Sequence, residues 1–344
     1  MKQLKTIVAL IAGLFAFTSV NAGEMSVTGT MQATYQSEVS DVTGNPLGMN
    51  TDLTFTGETE VLDGTAVKWT MGTDGTFLGD SGADHKITFA SPYGTFKVGN
   101  SGDSANAVDD ITPSAFEEAN GSGSGTYSTD FGSGLEGSMS VGYALADILG
   151  SGVSVDYTYY PKLDATTNNE KGASADANNA TQSAETINVK TDLSKLPIIG
   201  DTPLGGLKIT AAYEHSAAMT TTMQDKEGAT VALNYVQGPI SLGIQNKYYQ
   251  PETTAVATKT IYRDHVYGVA YAINDALAVS YNMYESTLSN DSDHARVQQE
   301  TKAINLAYTV GGLTLAFQDA KTSGNGYVLN ADDDTRTISI KTAF

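Results

Sequence analysis

From Glu24 onward the chain alternates residue by residue. Met25, Val27, Gly29, Met31, Ala33 and Tyr35 share one face, and Ser26, Thr28, Thr30, Gln32, Thr34 and Gln36 share the other. Successive side chains of a strand point to opposite faces, so the pattern predicts a strand with one apolar and one polar surface. The same period returns along the chain. Leu53, Phe55 and Val61 alternate with Thr54, Thr56, Glu58 and Glu60, and Val67, Trp69 and Met71 alternate with Lys68 and Thr70. Ile87 and Phe89 flank Thr88, and Phe96 and Val98 flank Lys97. Leu135, Met139, Val141 and Tyr143 alternate with Glu136, Ser138 and Ser140. Further segments are 187–193, 207–213, 231–235, 240–244, 267–273, 277–283, 304–310, 313–317 and 338–344.

The connectors alternate too. Tight turns are predicted at Leu62-Asp63-Gly64, Ser91-Pro92-Tyr93-Gly94, Gln237-Gly238-Pro239, Asn274-Asp275 and Gly311-Gly312, all built from residues that tight turns demand. Between them lie long polar loops over 37–51, 78–84, 101–124, 216–228, 250–264, 285–301 and 322–334. A short-long rhythm is that of an outer-membrane barrel, with tight periplasmic turns and longer outer loops. A soluble β-sandwich also alternates. The persistent rhythm argues against it, as does Tyr on the apolar face near strand ends, at Tyr35, Tyr143, Tyr213 and Tyr235.

The expected fold is therefore all-β, a transmembrane antiparallel β-barrel. Seventeen segments can be drawn, and closure with both ends on one side needs an even number. Two readings give 16 strands: Tyr127–Phe131 is too short to stand apart from Leu135–Tyr143, or Val153–Tyr160 folds into an outer loop. Spacing agrees, because a tilted spanning strand uses about 10 residues.

Met1–Ala22 reads as a secretory signal peptide. Lys2 and Lys5 supply the positive start, 7–17 an apolar core too short to span a bilayer, and Val20-Asn21-Ala22 a cleavage site. The barrel domain then covers 23–344. Composition narrows the function. The 344 residues carry a formal charge of −20, which argues against nucleic acid as a partner. There is no Cys, so disulfide scaffolds and thiolate metal sites are excluded. No cofactor or metal is implied.

The chain resembles the Gram-negative general porins. It ends on an alternating strand, Thr337 to Phe344, whose terminal Phe344 is similar to the signal that the barrel-assembly machinery reads in that family. The segment Pro92-Tyr93-Gly94-Thr95-Phe96-Lys97-Val98-Gly99 is similar to the turn and strand before the family's third loop, and Tyr127-Ser128-Thr129-Asp130-Phe131 is similar to the segment after that loop. The resemblance implies a homotrimer of 16-stranded barrels in the bacterial outer membrane, surrounded by lipid and lipopolysaccharide. Each barrel would pass small hydrophilic solutes by diffusion, with the third loop folded into the lumen as a constriction.

In that loop stand Asp103, Asp109, Asp110, Glu117 and Glu118, with no Lys or Arg. By parity Lys68, Lys86 and Lys97 point inward from strands three to five, as do Lys190, Lys208, Lys247 and Lys341 on other strands. Acidic loop facing basic wall would set a transverse field across the bore, and the net charge predicts a mild cation preference. The family's wall carries an arginine cluster; here Arg263, Arg296 and Arg336 fall in or beside predicted loops. The outer acids Asp291, Asp293 and 332–334 are candidates for divalent cations shared with lipopolysaccharide.

Alternative readings are a solute-specific porin, an adhesin or phage-receptor barrel, and a rim-site hydrolase. Sugar channels line their path with aromatic residues, whereas most Tyr here face outward by parity, which favours general diffusion. For the hydrolase, Asp84-His85, Asp264-His265 and Asp293-His294 lie near the predicted rim. Strand neighbours face opposite ways, and neither G-x-S-x-G nor H-E-x-x-H occurs. The chain is read as a non-enzyme.

Overall fold

The computed structural model describes residues 24–38, 45–62, 64–73, 84–100, 104–125, 135, 138–163, 183–196, 199–218, 224–252, 260–290 and 296–344. The predicted leader, Asp103, Tyr127–Phe131, Asp291, Asp293 and His294 lie outside them.

Sixteen strands succeed one another in order. They are β1 (Glu24–Glu38), β2 (Leu47–Leu62), β3 (Thr65–Thr73), β4 (Asp84–Ser91), β5 (Gly94–Gly99), β6 (Ser140–Leu145), β7 (Val153–Tyr160) and β8 (Ala184–Asp192). The second half comprises β9 (Leu207–Ser216), β10 (Lys226–Gln237), β11 (Ile240–Gln250), β12 (Thr260–Ala272), β13 (Leu277–Asn290), β14 (Arg296–Val310), β15 (Leu313–Ser323) and β16 (Asp332–Ala343). Each pairs antiparallel with its neighbours, and β16 pairs with β1, so the sheet closes on itself. At the seam the amide of Gly29 donates to the carbonyl of Phe344 at 2.9 Å, and the amide of Phe344 donates back to Gly29 at 3.0 Å.

Val153–Tyr160 is β7, paired with β6 on one side and β8 on the other, which overturns the reading that folds it into an outer loop. Its alternation reports a real strand, and the stretch without a period begins only beyond Tyr160. The predicted loops also shrink. β2 begins at Leu47, β12 at Thr260, β13 runs to Asn290 and β14 starts at Arg296. The polar residues there continue the ladder: Arg263 and Asp264 pair with Thr287 and Ser286. Backbone pairing is indifferent to side-chain polarity once a strand rises above an apolar belt, so hydrophobic periodicity alone ends each strand too early.

The register places Met25, Val27, Met31, Ile87, Val141, Ile187, Leu242, Val269, Leu306, Phe317 and Ile340 on the outer face, where they are exposed. Tyr35, Tyr143, Tyr213, Tyr267 and Tyr308 accompany them, the arrangement suited to a barrel bathed in hydrocarbon between aromatic girdles. Along the middle of the strands Thr, Ser, Asn and Gln face inward, among them Thr186, Gln245, Asn282, Asn305 and Gln318. Closure leaves no sheet edge along the seam, which is what hydrocarbon requires of a spanning sheet.

Candidate pore constriction

The β5–β6 connection does not stay at the rim. Residues 104–125 cross the lumen and lie along the inner wall of β8–β16. Contacts run in order around the ring. Asn188 of β8 donates to the carbonyl of Ser104, and Gln245 of β11 to those of Val108 and Asp109 at 2.8 and 2.6 Å. Asn282 of β13 reaches the carbonyl of Pro113 at 2.9 Å. Asn305 of β14 and Gln318 of β15 both reach that of Glu117 at 3.1 Å. Thr335 of β16 reaches the carbonyl of Ser122 at 3.0 Å, and Asp333 accepts from the amide of Gly125 at 2.9 Å. An irregular segment carries orphan carbonyls, and lumen-facing amides satisfy them one strand at a time. Charge and motif searches pass over these amides. The sequence does carry a signal for them: an Asn or Gln at an inward position on β8, β11, β13, β14 and β15.

Shape fits as well as hydrogen bonding. A Cβ on Gly243 of β11 would stand 2.3 Å from Cδ of Pro113, and one on Gly268 of β12 would stand 2.6 Å from its carbonyl oxygen. The two glycines form a notch that seats the loop.

The ion pairs decide which charges the bore sees. Lys247 of β11 places Nζ 2.8 Å from Oδ1 of both Asp109 and Asp110, and its side chain is 2 % exposed. Asp110, on the bore side, also accepts from Asn120 at 2.9 Å. Glu118 is buried, and Thr112 Oγ1 donates to its Oε1 at 2.6 Å. Burial first, then the charge of Asp110, push the Glu118 carboxyl up to about 7 against the pull of Thr112 and Lys247. Burial also raises Glu117, with Lys341 opposing.

The other wall is arranged differently. Lys68, Lys86 and Lys97 face the lumen from β3, β4 and β5, by the register that pairs Glu58 with Lys68, Thr70 with Lys86 and Thr88 with Lys97. Lys97 binds Asp156 of β7 at 2.5 Å, a partner on the wall rather than on the loop. Lys190 reaches the loop through the carbonyl of Ala107, at 3.3 Å. The base that clamps Asp109 and Asp110 is Lys247, one of the inward lysines outside the strand three-to-five set. Arg263 and Arg336 belong to strands β12 and β16 and face outward; Arg336 binds Asp319 at 3.2 Å.

At the rim, Asp264 faces in and accepts from Tyr284 at 2.7 Å, while the neighbouring His265 faces out beside Asn246. The acids 332–334 line an outer depression with Glu300, Lys302 and Lys321. Among the described residues no group of three or more His, Asp or Glu is placed to hold a metal ion.

No family model matches the chain, and no curated protein matches it by sequence. Solved structures do match in shape. OmpT of Vibrio cholerae, an outer membrane protein solved in a trimer form, aligns over 94 % of this chain and 100 % of its own with a TM-score of 0.63 and 12 % identity. Salmonella typhi OmpF, in a complex with daunomycin, aligns over 94 % and 98 % with a TM-score of 0.63 and 13 % identity. A mutant of Rh. blastica porin aligns over 93 % and 100 % with a TM-score of 0.58 and 14 % identity. At such identities the likeness concerns architecture alone: the chain shares with these proteins the shape of a closed antiparallel barrel, here of sixteen strands.

Proposed function

We propose that the protein is a passive outer-membrane channel for small hydrophilic solutes and ions, exported by its leader and assembled as a homotrimer. The observation that carries this reading is a polar inner wall with a loop hydrogen-bonded across it, inside an apolar outer belt. In this reading Asp109, Asp110, Glu117 and Glu118 form the acidic side of the constriction and Lys68, Lys86 and Lys97 the basic wall, while Asp103, the fifth acid of the loop sequence, lies outside the described residues. Because Lys247 pairs with Asp109 and Asp110 and cancels one of their two charges, the cation preference is mild. Phe344, main-chain paired at the seam, is the assembly signal for the barrel-assembly machinery. Lipid and lipopolysaccharide surround the belt. The trimer form of the Vibrio cholerae barrel supports the assembly state. The opposite orientations of Asp264 and His265 support a role without catalysis.

The test is reconstitution of the folded protein in a planar bilayer. Stepwise conductance in salt is expected, with a reversal potential slightly on the cation side in a salt gradient. A folded barrel that gives no steps overturns the reading.

A further inference from the structure

On the side of the barrel that carries both chain ends, strands are joined by residue pairs at 92–93, 238–239 and 311–312, but β8 and β9 are joined by 193–206. The described part of this long connector is folded. Asp192 Oδ1 accepts from the amide of Ser194 at 3.0 Å. The amide of Gly200 donates to the carbonyl of Leu196 at 2.7 Å, and that of Gly205 to the carbonyl of Thr202 at 2.9 Å. A Cβ on the buried Gly205 would stand 2.2 Å from the carbonyl oxygen of Gly200, so glycine lets these turns close on each other.

Beside it stands the β6–β7 turn. The amide of Asp192 donates to the carbonyl of Gly152 at 3.0 Å, and a Cβ on Gly152 would lie 3.3 Å from that of Lys195. The turn is fixed from within, because Asp147 Oδ1 accepts from the amide of Gly152 at 2.7 Å. Yet it holds Leu149 at φ 54° and leaves it 100 % exposed. A left-handed backbone is costly for a residue with a Cβ, and full exposure means that packing within the chain does not offset the cost. Leu204, in the connector, is 58 % exposed.

The height of these leucines decides what meets them. Gly206 ends the connector, and a Cβ there would stand 3.2 Å from Cε2 of Tyr235. Tyr235 pairs in register with the outward Leu207 and Leu242. The connector therefore lies against the outer side of the wall, where the apolar belt ends. Tyr143 and Tyr271 are exposed on the outer face at the same end of their strands. Outward tyrosines at a strand end mark the boundary between headgroups and acyl chains. Charge agrees with that neighbour. Across 146–152 and 193–206 the ionisable residues are Asp147, Lys195 and Asp201, and Asp147 is engaged by Gly152. An apolar surface that continues the belt with few charges suits a lipid boundary better than water.

We propose that the β6–β7 turn and the β8–β9 connector form a lipid-inserted foot. Leu149 and Leu204 enter the headgroup–acyl boundary of the phospholipid leaflet on the turn side and fix the height of the barrel in the bilayer. The inference goes beyond the channel reading and rests only on the wall spanning a membrane.

The chain has no Cys, so single cysteines report on single positions. Leu149→Cys and Leu204→Cys, each carrying a nitroxide label, are reconstituted in vesicles of phosphatidylethanolamine and phosphatidylglycerol. Spin relaxation by lipid-soluble oxygen is then compared with relaxation by a water-soluble nickel chelate. Ile304→Cys, on the outer belt, gives the lipid reference, and Leu329→Cys, 81 % exposed in the β15–β16 loop, gives the water reference. Circular dichroism checks the folding of each variant, and Leu204→Cys carries the test if the label at 149 disturbs it. Labels at 149 and 204 should resemble Ile304→Cys, with an oxygen-to-nickel ratio several-fold above that of Leu329→Cys. A ratio like that of Leu329→Cys overturns the foot. Shielding from both reagents assigns the surface to a protein partner or a second copy and overturns it too. Current steps from a barrel with nickel-accessible labels refute the foot and leave the channel standing; oxygen-accessible labels without current steps do the reverse.

Discussion

Along β2–β5 the lumen-facing rows include Asp52, Thr54, Thr70 and Thr88, and these side chains stay part-exposed. Along β8–β16 they include Asn188, Gln245, Asn282, Asn305 and Gln318, and these are buried. Both stretches obey the same two-residue period and both turn polar atoms inward. They differ in reach and in bonding capacity. Short hydroxyls leave room for water, whereas long amides meet an irregular backbone and satisfy it. A barrel wall thus has two duties on one pattern: β2–β5 turn short hydroxyls to the lumen, whereas β8–β16, joined by Gln36 of β1 whose amide donates to the carbonyl of Ser122 at 3.2 Å, hold the inner loop.

The sharpest way to break this contrast is to remove one lysine from each wall. Lys247→Met takes the buried cation away from Asp109 and Asp110, and urea unfolding in detergent should show a loss of about 3–5 kcal/mol, or release of the loop seen as faster proteolysis near 109–118. Lys97→Met breaks the more hydrated pair with Asp156, where the side chains are 16 % and 26 % exposed, and should cost about 1 kcal/mol or less. Equal losses would dissolve the distinction between the walls.

Next in size is the loop seat. Gly268→Val drives a side chain into Pro113, and single-channel conductance should change by roughly half as the loop leaves its notch. Thr70→Val, on the open wall, should leave the seat intact, read by unchanged proteolysis of the loop.

A smaller effect comes from pH. The seated loop holds Glu118 with a raised pKa of about 7 against an ordinary value of 4.5. The neutral acid is the form the seat favours. Its contribution is full below 4.5 and is lost as pH rises through about 7. Open-channel current noise should therefore grow from about pH 5 to about pH 8, and Glu118→Gln should remove that dependence. The smallest effect is expected from Lys68→Gln, which removes one hydrated charge from the open wall and should move the reversal potential slightly toward cations.

The closed barrel was legible in the sequence because alternation reports which side of a strand meets water, and tight turns such as Gly311-Gly312 report where strands reverse. Loop acids were legible as candidates. Their partner was not: Lys247 lies far along the chain from Asp109, and its register against the loop emerges only from closure of the whole ring. Strand ends above the belt were hidden for a different reason. Around Arg263 and Thr287 both faces are polar, so no periodic signal marks the ladder that continues there.

The seam has a consequence for how the molecule is made. Gly29, near the beginning of the first strand, is bonded in both directions to Phe344, the last residue. Every other neighbouring pair joins strands that are consecutive in the chain, but this one joins the first strand to the sixteenth and cannot form until β16 is in place. A chain in which β16 has yet to pair therefore keeps two raw edges, one on β1 and one on β15.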